Sequence, residues 1–115
     1  MNIRFEYLYR DAGNFKRWGE VVFANSRDVP VGVIASMADR VLIDHLFFDA
    51  GKAGVPDLHF EEHIDALDHG WHEFHEFAAT TDAPTDAMAR SIGEFIEALR
   101  SEVAADAGVQ ATQSL

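Results

Sequence analysis

The run Ile3-Arg4-Phe5-Glu6-Tyr7-Leu8-Tyr9-Arg10 sets Ile3, Phe5, Tyr7 and Tyr9 against Arg4, Glu6, Leu8 and Arg10. Successive side chains of a strand point to opposite faces. A period of two therefore predicts a half-buried strand over residues 2–10, with four large apolar side chains on one surface. Such a strand needs partners. Asp11-Ala12-Gly13-Asn14 supplies turn chemistry, and Val21, Val22 and Phe23 predict a second strand over 20–25, giving a hairpin with its loop at 11–19.

Beyond the hairpin, Asn25, Ser26 and Asp28 precede Pro30, the residue types that open helices. Val31, Ile34, Ala35, Ala38, Val41 and Leu42 then fall on one helical stripe, which predicts a helix over 29–44. Leu46, Phe47 and Phe48 suggest a third strand at about 45–50, closed by Gly51, Gly54 and Pro56. From Phe60 the apolar residues Ile64, Leu67, Trp71, Phe74 and Ala78 recur at steps of four and three, predicting a helix over 57–69. Gly70 either sits within that helix or ends it, so 71–78 stays open between helix and strand. Thr85 or Asp86 can cap a last helix over 86–105, whose buried stripe is Met88, Ile92, Phe95, Ile96, Leu99 and Val103.

The expected fold is α+β, a small antiparallel sheet made of a hairpin plus a third strand and packed by two or three helices. At 115 residues and 48% hydrophobic content the chain has material for one core, expected over 1–108, with 109–115 as a tail. Nine Phe, two Trp and two Tyr support a packed interior. The absence of cysteine excludes disulfides and thiolate chemistry. Charges interrupt the apolar residues at the N-terminus, and no stretch approaches the ~20 apolar residues of a membrane span, so a soluble cytoplasmic protein is expected.

Charge is unevenly distributed. Residues 53–89 contain nine Asp or Glu, five of the six histidines and no Lys or Arg, and so carry −9 of the formal −11. A field of that sign attracts cations and basic protein surfaces and repels phosphate backbones, which argues against general nucleic-acid binding. Histidines in such surroundings can also sense pH. The main functional expectation is a non-enzymatic interaction module. Trp71 and Phe74 would be its apolar anchors beside His72 and Glu73, with Glu61, Glu62, Asp65, Asp68 and Glu76 as further steering charges for a basic protein partner.

Metal binding is the competing expectation. His59-Phe60-Glu61-Glu62-His63 fits H-x-x-E-H and resembles the motif of the inverzincin metallopeptidases. That resemblance implies His59 and His63 as ligands and Glu62 as the base of a small metal-dependent hydrolase, with Glu94 or Glu97 left to supply a third ligand. Independently of it, His59, His63, His69, His72 and His75 with their carboxylate neighbours suit zinc or nickel. One continuous helix would put His59 and His63 on a different flank from His72 and His75, whereas a break at Gly70 could bring the two groups together.

Arg10-Asp11-Ala12-Gly13-Asn14-Phe15-Lys16-Arg17-Trp18 is where cationic and aromatic residues cluster. Arg10, Asp11 and Asn14 are candidate binding residues there, for a ligand or for the acidic segment of the same chain or of a homodimer partner. No serine lies in a Gly-x-Ser-x-Gly elbow and there is no phosphate-binding glycine loop, so the chemistry of an enzyme finds little support. Residues 3–16, from Ile3 to Lys16, together with Asp68-His69-Gly70-Trp71-His72-Glu73-Phe74, resemble a family of small uncharacterised bacterial proteins over most of the first 80 residues. The resemblance implies a small soluble bacterial domain and attaches no activity or cofactor to it.

Overall fold

The computed structural model describes residues 1–60 and 71–101. The fold is α+β. Strands β1 (Asn2–Arg10), β2 (Lys16–Phe23), β3 (Phe47–Phe48) and β4 (His72–Thr80) form one antiparallel sheet in the order β2-β1-β4-β3. Helices α1 (Val31–Asp39), α2 (Ala50–Ala53) and α3 (92–101) accompany it.

The period-two pattern of β1 has the expected effect. Ile3, Phe5, Tyr7 and Tyr9 are all buried, and Phe5 touches the rings of Tyr7, Phe23, Phe48, Phe74, Phe77 and Phe95 at centroid separations of 4.8 to 6.5 Å. α1 closes this core with Ile34 and Ala38, and α3 with Ile92, Phe95, Ile96 and Leu99. The hairpin is tighter than its sequence suggests. β2 starts at Lys16 because residues 16–19 continue in register with Arg10 to Tyr7, leaving a loop of only 11–15.

The segment left open between helix and strand is β4, which lies between β1 and β3. Its pairing with β1 steps from Glu6↔Glu76 to Tyr7↔Phe74, so His75 is the extra residue of a β-bulge. The bulge shifts the alternation by one. Phe74 and Phe77, three residues apart, both reach the core, and a strand thereby acquires helix-like apolar spacing.

Several boundaries differ from expectation. α1 ends at Asp39 rather than 44; residues 40–42 leave it in turns, and Asp44 and His45, both with left-handed backbone angles, turn the chain into β3. β3 has only two residues, and residues 50–53 form a helical turn capped by the Asp49 side chain. Residues 57–60 are not helical, and the rest of the helix expected over 57–69 lies outside the described residues. The last helix begins at 92, later than 86. Its start is a reciprocal capping box in which Ser91 Oγ accepts from Glu94 N–H and Glu94 Oε1 accepts from Ser91 N–H. Thr85 and Asp86 have other work: Thr85 exchanges hydrogen bonds with Val22 on the outer side of β2, and Met88 is exposed. Val103 and the tail expected at 109–115 lie outside the described residues.

A buried ion pair ties α2 to the start of α3. Arg90 donates from Nε and Nη2 to both Asp86 oxygens at 2.9 and 3.0 Å, and from Nη1 and Nη2 to the carbonyls of Ala53 and Gly54 at 2.7 and 3.0 Å. The two aligned donors match the planar carboxylate, the other guanidinium hydrogen bonds go to carbonyls, and the group lies over the Phe23 and Phe95 rings, which is how a buried guanidinium is tolerated. Burial raises the Asp86 pKa, but the Arg90 side-chain and backbone hydrogen bonds and the Arg90 charge outweigh it, so the carboxyl is held below its usual range. Gly54 makes room for this fork. Its φ is +76°, and an added Cβ would lie 2.9 Å from Met88 Sδ and 3.1 Å from Arg90 Nη2.

Asp86→Asn leaves a buried guanidinium without its charge partner and is expected to cost about 3 kcal/mol in denaturant unfolding. Because the folded Asp86 carboxyl titrates below its unfolded value of 3.8, the wild-type contribution is complete above that pH and fades as pH falls toward the folded value. The variant should therefore lose less stability than wild type between pH 5 and 2. Gly54→Ala is expected to destabilise by about 1–3 kcal/mol. Gly32→Ala, at a helical position with nothing within 4 Å of the added carbon, should stabilise by about 0.5–1 kcal/mol in the same assay.

Candidate functional site

After the left-handed turn at Gly54 the chain runs as an extended segment, Pro56 to Phe60, along the core side of the sheet near the C-terminal end of β1. Three strands hold it there. Tyr7 Oη on β1 donates to the Pro56 carbonyl at 2.7 Å. On β2, Arg17 Nη1 donates to the His59 carbonyl at 3.2 Å, and its guanidinium lies 4.8 Å from the centre of the Phe60 ring. Gly19 on the same strand leaves room for Leu58, whose methyls lie 3.0 and 3.1 Å from where a Cβ would stand. From β4, His72 Nε2 accepts the Leu58 N–H at 2.9 Å.

His72 is 1% exposed, a polar ring on the core side of an inner strand. Because its Nε2 is an acceptor, neutral His72 carries its proton on Nδ1. The ring lies among Tyr7, Tyr9, Phe48 and His59 at centroid distances of 5.1 to 6.0 Å. His59 packs edge-on against Tyr9 at 4.4 Å.

Asp57 completes the group. Its carboxylate accepts the His59 N–H at 2.8 Å, stands 2.8 and 3.0 Å from His59 Nδ1 through its two oxygens, and lies 3.6 Å from His72 Nε2. Partial burial raises its pKa, but the His59 backbone hydrogen bond and the nearby His59 and His72 imidazoles outweigh that and hold it below the usual carboxylate range. Tyr7 is pushed well above the usual phenol range, first by burial and then by the Asp57 charge, so it remains a hydrogen-bond donor. One oxygen of Asp57 and one ring nitrogen from each histidine lie within 4.8 Å of one another, a group that could hold a metal ion.

This group overlaps only partly with the sequence expectations. His59 belongs to it. His63 and Glu62, the other members of the H-x-x-E-H reading, lie outside the described residues, as do Glu61, Asp65, Asp68 and His69. Glu94 spends its carboxylate on the α3 capping box and Glu97 pairs with Arg100. His72 joins His59 because the segment left open between helix and strand is strand β4, which sets the His72 ring against the 56–60 segment. Asp57, which helix counting from residue 59 leaves out, belongs through the Asp57-x-His59 spacing, which suits an extended segment. A second group, Glu6, His75 and Glu76, lies on the other face of the sheet, where Glu6 is already engaged by Arg4 Nε at 3.0 Å.

The residues proposed as a partner surface are divided among different tasks. Phe74 packs partly buried against the core, and Glu73 forms an ion pair with Arg10 at 2.9 Å. Trp71 is exposed and meets Phe47 edge-on at the rim of a shallow pocket shared with Ile43 and Asp44. Arg10 also donates to Asn14, while Asp11 satisfies the Phe15 N–H within its own turn. The basic loop and acidic segment do meet within one molecule, through Arg10 to Glu73 and Arg17 to His59.

No protein-family model matches the chain, and no curated protein or solved structure matches it either. Among the described residues, no helix is long and apolar enough to cross a membrane.

Tyr7→Phe removes one support of the 56–60 segment without altering ring packing. Unfolding stability should fall by about 1 kcal/mol, and hydrogen exchange at the Leu58 amide should accelerate.

Proposed function

We propose that the protein binds a divalent transition-metal ion of the zinc or nickel class through His59, His72 and Asp57. The observation that carries this reading is the convergence of two imidazoles and a carboxylate from a loop and an inner strand. With bonds of ~2.0–2.1 Å, neighbouring ligands of a tetrahedral ion stand about 3.3 Å apart. The oxygen-to-nitrogen separations of 2.8 and 3.6 Å straddle that value, and the three ligand atoms lie within 4.8 Å of one another, so side-chain rotation can close them on one ion. Asp57 is ionised well below neutral pH and can ligate without first losing a proton. A fourth position would fall to water. The negative charge of residues 53–89 raises the local cation concentration.

His72 Nε2 already accepts the Leu58 N–H, so the ion must compete with that hydrogen bond. Binding would exchange a backbone tether for a metal bridge between the loop and β4, and protons at either imidazole would oppose it. The role is that of a binding protein, with the metal as ligand or structural clamp.

Tag-free protein dialysed against zinc and then against metal-free buffer should retain about one ion per chain by elemental analysis. The double variant Asp57→Asn/His59→Ala should bind at least ~10-fold more weakly by calorimetry, while His45→Ala should match wild type. Wild-type protein that emerges metal-free, or a double variant that binds as wild type does, defeats the assignment.

A further inference from the structure

Strand β2 is an edge of the sheet, and among the described residues its outer side is used at one end. The N–H of Val22 donates to Thr85 Oγ1, and its carbonyl accepts the Thr85 N–H, each at 2.9 Å. Both groups therefore point away from β1. Backbone groups alternate sides along a strand, and β2 pairs with β1 without a register shift, so those of Glu20, Trp18 and Lys16 point outward too. Among the described residues no strand pairs with them, and all three residues are exposed.

Such an edge invites another strand, and proteins commonly protect it with charge. Here the charges are self-complementary. In an antiparallel two-fold pairing centred on Trp18, Trp18 faces its own copy, Arg17 faces Gly19, and Lys16 faces Glu20 of the second copy twice over. The adjacent allowed registers are worse. Centring on Arg17 sets two guanidiniums face to face. Moving the other way places Lys16 against Val22, whose backbone groups Thr85 already occupies. Centring on Glu20 opposes two carboxylates. Like charges directly across a strand pair destabilise it, and opposite charges support it. The Trp18 indole does not obstruct the edge, because it reaches across its own sheet to His75 at 4.9 Å.

We propose that two copies of this chain dimerise edge to edge through residues 16–20 of β2, in the register centred on Trp18, joining two four-stranded sheets into one of eight strands. A second copy is the occupant because the edge carries its own complement. The contact is isologous and closed, as two-fold interfaces are.

Sedimentation equilibrium from micromolar to millimolar protein, with a metal chelator present, should show a reversible monomer–dimer equilibrium. Lys16→Glu and Glu20→Lys should each raise the dissociation constant at least ~10-fold, with circular dichroism and thermal midpoint close to wild type. The double variant Lys16→Glu/Glu20→Lys should recover most of the wild-type affinity, since opposite charges again meet across the two-fold axis. A chain that stays monomeric throughout, single variants that dimerise like wild type, or a double variant no better than the singles would each overturn the proposal. The chelator separates this outcome from any failure of metal binding.

Discussion

The hydrogen bond from Leu58 N–H to His72 Nε2 is the contact on which the rest of the site depends. An imidazole buried on an inner strand needs a partner for its acceptor nitrogen, because a buried polar atom left without one is expensive. The sheet cannot supply that partner from its own ladder, so a backbone amide comes from outside it. This requirement brings the 56–60 segment against Tyr7, Gly19 and Arg17 and fixes Asp57 and His59 beside the ring. The same bond selects the His72 tautomer. Local fold and candidate chemistry share one physical cause.

Legibility in the sequence follows the range of the interactions. β1 is legible because period two is a property of the strand alone: Ile3, Phe5, Tyr7 and Tyr9, the residues that alternation picks out, are all buried, and Leu8 on the opposite face is buried as well. β4 is not, because the bulge at His75 brings Phe74 and Phe77, three residues apart, to the same face, a spacing that reads as helical. Once those residues are placed on a helix, His72 points away from His59 and Asp57 has no role. The fork at Arg90 is also hidden: Gly54 must be left-handed, and 36 residues separate it from the side chain that it admits. Ser91 and Glu94, by contrast, stand at capping-box spacing. They were overshadowed by Thr85 and Asp86, whose hydrogen-bonding groups serve β2 and Arg90 instead.

The charge imbalance takes on a different meaning in three dimensions. Of the nine acidic residues between 53 and 89, Asp86 is neutralised inside the protein by Arg90, and Glu73 is engaged by Arg10. Asp57 faces two imidazoles. Part of the apparent patch is thus structural charge, met by an arginine four residues away in the case of Asp86 and by one from the far end of β1 in the case of Glu73. The two kinds of pair differ in weight: the buried fork is desolvated and geometrically matched, whereas the Arg10 contact is partly open to solvent and screened.

The order of strands in the sheet also bears on how the chain reaches this state. The hairpin partner of β1 follows it within a few residues, but its other neighbour ends at Thr80, which pairs with Asn2. Until β4 has been made, the side of β1 destined for it has no native occupant among the described residues, and the Phe5 ring lacks Phe77 and, later still, Phe95. Closing that long loop pairs residues far apart in sequence, such as Asn2 with Thr80, an event that topology makes slow. Folding speed and exposure to misassembly are accordingly set by the late arrival of β4, well after the hairpin that launches the sheet.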